Sequence, residues 1–277
     1  MEEIFKVQNN SFFSEKKSFL EELFPPAYWA ESSAQEEFCL PIDNLDGNEV
    51  EQDAESGPEV ADDFALMGAD IILKDIGMDS PTQLGEIISS CHSCFHLDAA
   101  KRIKRLDISS AQYDNLGSGK KIKALFVLDY PRIVDEKSRA LVEQQDDLLD
   151  KMIAAMKFAQ GDYLKSYSIK CSLLEGDLQN FEGSYSNCLN YLHYEIFYYR
   201  PQVVITMGAI PTKFFLGPDS RLSLVHGNFY PKSIGYKNRV HKFDLVPIFH
   251  PELLIINPNM KRTTWSDLQK VMAFLGI

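Results

Sequence analysis

Cys91 and Cys94 form a C-x-x-C, Cys171 follows after a long interval, and Cys188 completes a C-x16-C with it. Thiolate sulfur is a soft ligand, and four thiolates suit zinc or a [4Fe–4S] cluster. The first pair can grip one side of a metal from a tight turn while the distant pair closes the other. A structural zinc ribbon brings its second pair as another C-x2-C within roughly 15–20 residues. Here the second pair is remote and loosely spaced, which suits a cluster clamped between distant parts of a folded domain. The bland alternative is four buried thiols, because cysteine packs like a small hydrophobe. Cys39 stands outside the pattern.

From residue 81 onward, helices and strands alternate along the chain. Ser80-Pro81 is a cap followed by proline at the first helical position, and the helix runs into the first cysteine pair. Lys120–Pro131 (KIKALFVLDYP) is a short apolar run that predicts a buried strand. Residues 138–160 carry Leu141, Leu148, Leu149, Met152, Ile153 and Met156 at helical spacing. A second strand (DYLKSYSIKC) ends at Cys171, and a helix starts at Cys188. PQVVITMG is a third strand stopped by Gly208; Ala209–Leu216 is a short helix; FDLVPIFHP is a fourth strand ending at His250; Met260–Leu275 is the last helix. Such alternation predicts a three-layer α/β/α sandwich around a central four-stranded parallel sheet. Ligands of such sheets sit at the carboxyl ends of the strands. Those ends are Asp129-Tyr130-Pro131, Tyr167–Cys171, Met207-Gly208 and His250-Pro251.

The 277 residues can bury a sizeable core, and the net charge of −12 is unevenly spread. Residues 1–85 hold 20 Asp/Glu against 4 Lys/Arg, whereas residues 86–277 hold 20 against 24. Residues 1–80 are expected to be an acidic, partly disordered extension, and 81–277 the folded domain. Within the extension, Ser14–Phe24 has helical spacing, and 41–63 is acidic and turn-rich. A basic protein partner is one role for such a tail; a solvated linker is the other. The mildly basic remainder admits DNA, with the Lys101–Arg105 run and Lys120, Lys121 and Lys123 as phosphate contacts. Tyr198, Tyr199 and Phe197 are expected to pack a helix rather than stack on bases. No apolar run approaches the ~20 residues that span a bilayer, and the first residues lack signal-peptide features. The expectation is a cytoplasmic monomer without membrane attachment.

His250–Val271 (HPELLIINPNMKRTTWSDLQKV) resembles the second catalytic motif and last helix of the iron–sulfur uracil-DNA glycosylases. That pattern, H-P-x-x-L-L-R-N-P-x-x-K-x-x-x-W-x-D-L-Q, is matched at His250, Pro251, Leu254, Asn257, Pro258, Lys261, Trp265, Asp267, Leu268 and Gln269. Arg200–Gly217 is similar to the family's P-x-V-I-x-x-L-G-x-x-A-x-x-x-L-L-G, and Cys171 and Cys188 fall where it places its third and fourth cluster cysteines. The resemblance covers about residues 85–277 in order. It implies that Cys91, Cys94, Cys171 and Cys188 hold one [4Fe–4S] cluster, and that the chain flips a DNA base and hydrolyses its N-glycosidic bond.

The resemblance implies Asp129 and His250 as catalytic residues, Asp129 toward a water and His250 toward the anionic leaving group. It implies Tyr130, Leu141, Tyr167, His226 and Asn257 as substrate contacts. Several of these depart from the pattern. The family's G-E-x-P-G reads Leu128-Asp129-Tyr130-Pro131-Arg132, and Leu128 and Arg132 would intrude where glycine lets a base approach. Leu141 stands for a stacking Phe, Tyr167 for a uracil-reading Asn, Ile256 for an Arg, and His226-Gly227 for R-G. Two readings follow: a divergent DNA glycosylase of base-excision repair with weak or absent action on uracil, or a catalytically inactive relative serving as a nucleic-acid- or protein-binding module.

Overall fold

The computed structural model describes residues 69–73, 81–94, 121–132, 139–159, 161–172 and 182–277, with backbone alone for 81, 82 and 182–187. All belong to the unit Glu59–Ile277, one of two into which the chain divides. The expected helix at Ser14–Phe24, the acidic stretch 41–63, Cys39 and the basic run Lys101–Arg105 lie outside the described residues.

In chain order the elements are β1 (Ile71–Ile72), α1 (Pro81–Ser89), β2 (Ala124–Leu128), α2 (Arg139–Ala155), β3 (Tyr163–Tyr167), α3 (Glu182–Tyr199) and β4 (Val203–Met207). They continue with α4 (Ala209–Leu216), α5 (Leu222–Val225), β5 (Tyr230–Tyr236), β6 (Arg239–Ile248), α6 (Pro251–Ile256) and α7 (Met260–Leu275). One sheet runs in the order β1-β5-β6-β4-β2-β3. Its β3-β2-β4-β6 portion is parallel throughout, and these are the four strands expected from the apolar runs. β2 (ALFVL) and β4 (VVITM) are buried at every position, as central parallel strands with both faces covered must be. β3 (YLKSY), at the sheet edge, alternates buried and half-buried residues.

The two faces build two cores. Leu125, Val127 and Val204 pack with Leu84 and Ile88 of α1, Leu192 and Ile196 of α3 and Phe214 of α4. Phe126, Val203, Ile205 and Met207 pack on the other side with Leu149 and Ile153 of α2 and Leu268 and Val271 of α7. Alternate residues of one strand feed opposite layers, so the period-2 rule produces the sandwich. Phe197 and Tyr199 are buried in the first core.

Three features exceed or revise the sequence reading. The sheet has six strands rather than four, because β5 pairs antiparallel with β6 and β1 pairs parallel with β5. The β5–β6 turn places Lys237 and Asn238 at φ 42° and 60°, the left-handed pair of a two-residue hairpin. Without a glycine there, the turn signal is faint. The helix expected to start at Cys188 begins at Glu182.

Candidate functional site

The carboxyl ends of β2, β3, β4 and β6 meet at one rim, and a cleft opens there. Asp129, Tyr130, Arg132, Tyr167 and His250 line it, with Leu128, Val142, Gln145, Asp146 and Pro251. The expected convergence of Asp129, Tyr167 and His250 is therefore present. β2 and β6 are not neighbours; β4 lies between them. Asp129 and His250 face each other across the end of β4, with His250 Nε2 3.5 Å from Asp129 Oδ1.

Gly208, the residue after β4, makes that approach feasible. Its φ is +104°, and a Cβ there would lie 3.2 Å from His250 Cβ. Gly208→Ala is expected to cost about 1–3 kcal/mol through left-handed strain alone and to press on His250. A chemical denaturation curve checks the stability loss.

Asp129 is held from several sides. Past the end of β3, Ser168 N–H donates to Leu128 O at 2.8 Å and Ile169 N–H donates to Asp129 O at 2.9 Å. Ser168 Oγ donates to the same Asp129 carbonyl at 2.7 Å. On the carboxylate, Tyr130 N–H donates to Oδ1 at 2.8 Å, and Arg132 Nη2 donates to Oδ2 at 2.9 Å. Burial pushes this carboxyl upward, but Arg132, His250 and the Tyr130 N–H outweigh it and hold it well below the usual carboxylate range. Both Asp129 oxygens are engaged, and the lowered pKa favours the carboxylate form. A general base works best with a pKa near the operating pH, so a carboxylate held this low is better suited to supplying fixed negative charge.

His250 caps α6. The Glu252 N–H donates to its Nδ1 at 3.2 Å, with Pro251 at the first helical position. Nδ1 therefore carries no proton in the neutral ring, and the proton sits on Nε2. Among the described residues, that Nε2 is buried without a hydrogen-bond partner. The 3.5 Å contact with Asp129 exceeds the usual 2.7–3.2 Å of an N–H···O bond. A buried donor left unsatisfied is costly, so it is available to an acceptor entering the cleft.

Arg132 ties the cleft together. Its Nη2 also reaches Glu252 Oε2 at 2.9 Å, and its Nη1 donates to Tyr130 Oη at 2.7 Å. The guanidinium carbon lies 4.3 Å from the centroid of the Tyr130 ring. Glu252, Gln145 and Asp146 were not singled out from sequence. Glu252 had a usable signal as an acid in the first turn after His-Pro.

The four cysteines line one cavity together with Ile88, Lys170 and Tyr191. The chain just beyond α1 delivers Cys91 and Cys94, the chain beyond β3 delivers Cys171, and α3 delivers Cys188. Cys94, Cys171 and Cys188 are buried. Burial pushes the Cys188 thiol up to about 12, with Cys171 and Cys94 adding to the rise and Lys170 opposing it. Among the described residues, no three His, Cys, Asp or Glu side chains are grouped closely enough to hold a single metal ion. A zinc ion would need all four sulfurs about 2.3 Å from one centre, whereas a cluster spreads its thiolates over several irons. Four soft thiol donors lining one cavity are a donor set that suits a thiolate-ligated metal centre.

Lys170 links this cavity to the cleft. It is 1% exposed and its partner Glu195, on α3, is 0% exposed. Lys170 Nζ donates to Glu195 Oε2 at 2.8 Å, Ser166 Oγ at 2.8 Å and Tyr167 O at 2.6 Å. The available sequence signal was a lone acid inside the apolar run HYEIFYY and a lone base in IKC.

Three expected contacts lie elsewhere. Leu141 is buried on α2 and does not line the cleft; Val142, Gln145 and Asp146 of that helix do. The helical rotation of one residue, invisible in a motif alignment, decides this. Asn257 is the C-cap of α6. His226 pairs through Nδ1 with Asp267 Oδ2 at 2.7 Å and packs on Phe249 at 4.5 Å. Neither residue is part of the cleft lining. Of the basic residues offered as phosphate contacts, Lys123 is paired with Asp162 at 3.1 Å.

Residues 117–269 match the uracil DNA glycosylase superfamily, and the chain belongs to it. Within that group, the chain is similar to the type-4 uracil-DNA glycosylase of Sulfurisphaera tokodaii. The two are 24% identical over 204 residues, covering 70% of this chain and 84% of that protein. Among the described residues, no helix is long and apolar enough to cross a membrane.

Proposed function

We propose that this chain is a divergent iron–sulfur DNA glycosylase-like protein of base-excision repair, with residues 81–277 as the working domain and DNA as its partner. The observation that carries the reading is the placement of His250 and Asp129, 3.5 Å apart at the strand ends. The Nε2–H of His250 meets a base oxygen as negative charge builds on the leaving group. The Asp129 carboxylate supports positive charge building on the sugar, as fixed anions do in glycoside cleavage. Water then completes hydrolysis of the N-glycosidic bond.

In this reading Cys91, Cys94, Cys171 and Cys188 hold a [4Fe–4S] cluster. Its contribution is structural, tying α1 to α3 and to the chain beyond β3. Cys171→Ser is expected to abolish visible iron–sulfur absorbance and to lower the melting temperature, because ligand binding to the native state adds to folding stability. Anaerobic purification with iron and sulfide determination, followed by thermal melts of both proteins, checks this. Unchanged iron content and melting in Cys171→Ser would remove the cluster from the account.

A second reading, a non-catalytic binding module, is favoured by one observation: Arg132, one of the residues lining the cleft, bridges Asp129 and Glu252 there. A glycosylase assay on a panel of damaged bases, run beside His250→Ala, decides between the two. Base release that depends on His250 supports the enzyme. DNA binding without release of any base supports the module.

A further inference from the structure

The cleft contains a cation that neither proposed role of Asp129 or His250 requires. Arg132 bridges Asp129 and Glu252, each at 2.9 Å, and its planar head lies 4.3 Å from the centroid of the Tyr130 ring. That is cation–π contact, and the guanidinium covers a ring face on which a planar base would otherwise stack. The free space left in the cleft is about 50 Å³. A buried cavity that accepts a benzene-sized ring is ~150 Å³. The free space in the cleft is thus smaller than a cavity that accepts a ring of that size.

We infer that Arg132 is the specificity-determining residue of this cleft, a plug whose guanidinium occupies the Tyr130 face that an extruded base would take. This deepens the glycosylase-like reading and rests on it for the identity of the occupant. A base enters only when the guanidinium leaves both carboxylates. The plug therefore selects against any base that cannot supply contacts equal to those two ion pairs and the Tyr130 hydroxyl bond. With the plug seated, the cleft accepts a sugar without a base more readily than an intact nucleotide. Glu252 is the outer anchor: its Oε2 holds the guanidinium from α6 at 2.9 Å.

Two measurements on the full-length protein test this. The first uses free uracil, adenine and hypoxanthine as probes, with binding followed by ligand-observed NMR. Arg132→Ala is expected to bind at least one of them tenfold or more tightly than the wild type. Glu252→Ala, which loosens the plug without removing it, is expected to fall between. The second compares duplexes carrying an abasic site or an unpaired 2-aminopurine. The wild type is expected to prefer the abasic duplex by about tenfold, and Arg132→Ala to lose that preference with a rise in 2-aminopurine fluorescence.

Equal base binding by wild type and a cooperatively melting Arg132→Ala overturns the plug; if Arg132→Ala does not fold, Glu252→Ala with wild-type binding does the same. Gain of free-base binding with no DNA bound by either protein keeps the plug and removes the DNA reading. DNA bound with equal base extrusion by both proteins removes the plug and keeps the DNA reading.

Discussion

On DNA containing uracil, base release is expected to run on the order of 10⁴-fold or more below that of a site built to hydrogen-bond uracil. Reading the uracil edge requires a donor and an acceptor side by side, which an amide supplies and a phenol does not. Tyr167, expected from the family resemblance at that place, lines the cleft. The helix expected to supply a stacking ring contributes Val142, Gln145 and Asp146 instead. Arg132 adds an ion bridge that an entering base must break. Asp129, held well below the usual carboxylate range by Arg132 and His250 against the opposing effect of burial, is a weak proton acceptor at neutral pH. Single-turnover release from a uracil-containing duplex, with His250→Ala as the control, measures the rate. Rapid, His250-dependent release by the wild type would refute the expectation and return the protein to plain uracil excision.

Glu195→Ala is expected to destabilise the fold by about 3–5 kcal/mol, the cost of leaving one charge of a buried pair uncompensated. Lys170 and Glu195 are almost fully buried, and Lys170 would keep only Ser166 Oγ and the Tyr167 carbonyl. The double replacement Lys170→Met with Glu195→Leu is expected to be far milder, because two well-packed apolar side chains avoid the desolvation of both ions. Urea denaturation of the three proteins gives the comparison. A Glu195→Ala loss below about 1 kcal/mol, the range of exposed pairs, would mean that water reaches the site. The pair also spans two parts of the molecule. Lys170 lines the cysteine cavity and bonds the Tyr167 carbonyl at 2.6 Å, so its loss should loosen Tyr167 in the cleft as well.

The amino-acid sequence by itself determined the layers, the four parallel strands and the cysteines that share a cavity. These rest on short apolar runs, helical periodicity and ligand spacing, all of which are local or need only chain order. It also placed Asp129, Tyr167 and His250 on one rim, because parallel strands deliver their ends to the same side. The hairpin partner β5 and the two-residue β1 were not legible, since a turn without glycine and a two-residue strand leave little local signal. Tertiary structure alone decided the rest. Whether Leu141 or Val142 meets the cleft depends on the rotation of α2 about its axis. Whether Arg132 points to solvent or across the cleft depends on Glu252, 120 positions later in the chain. Lys170 and Glu195 could be recognised as a buried pair only once α3 was laid against the end of β3. Contacts between residues far apart in sequence are fixed by packing, and packing is where this chain turns a shared scaffold into a site of its own.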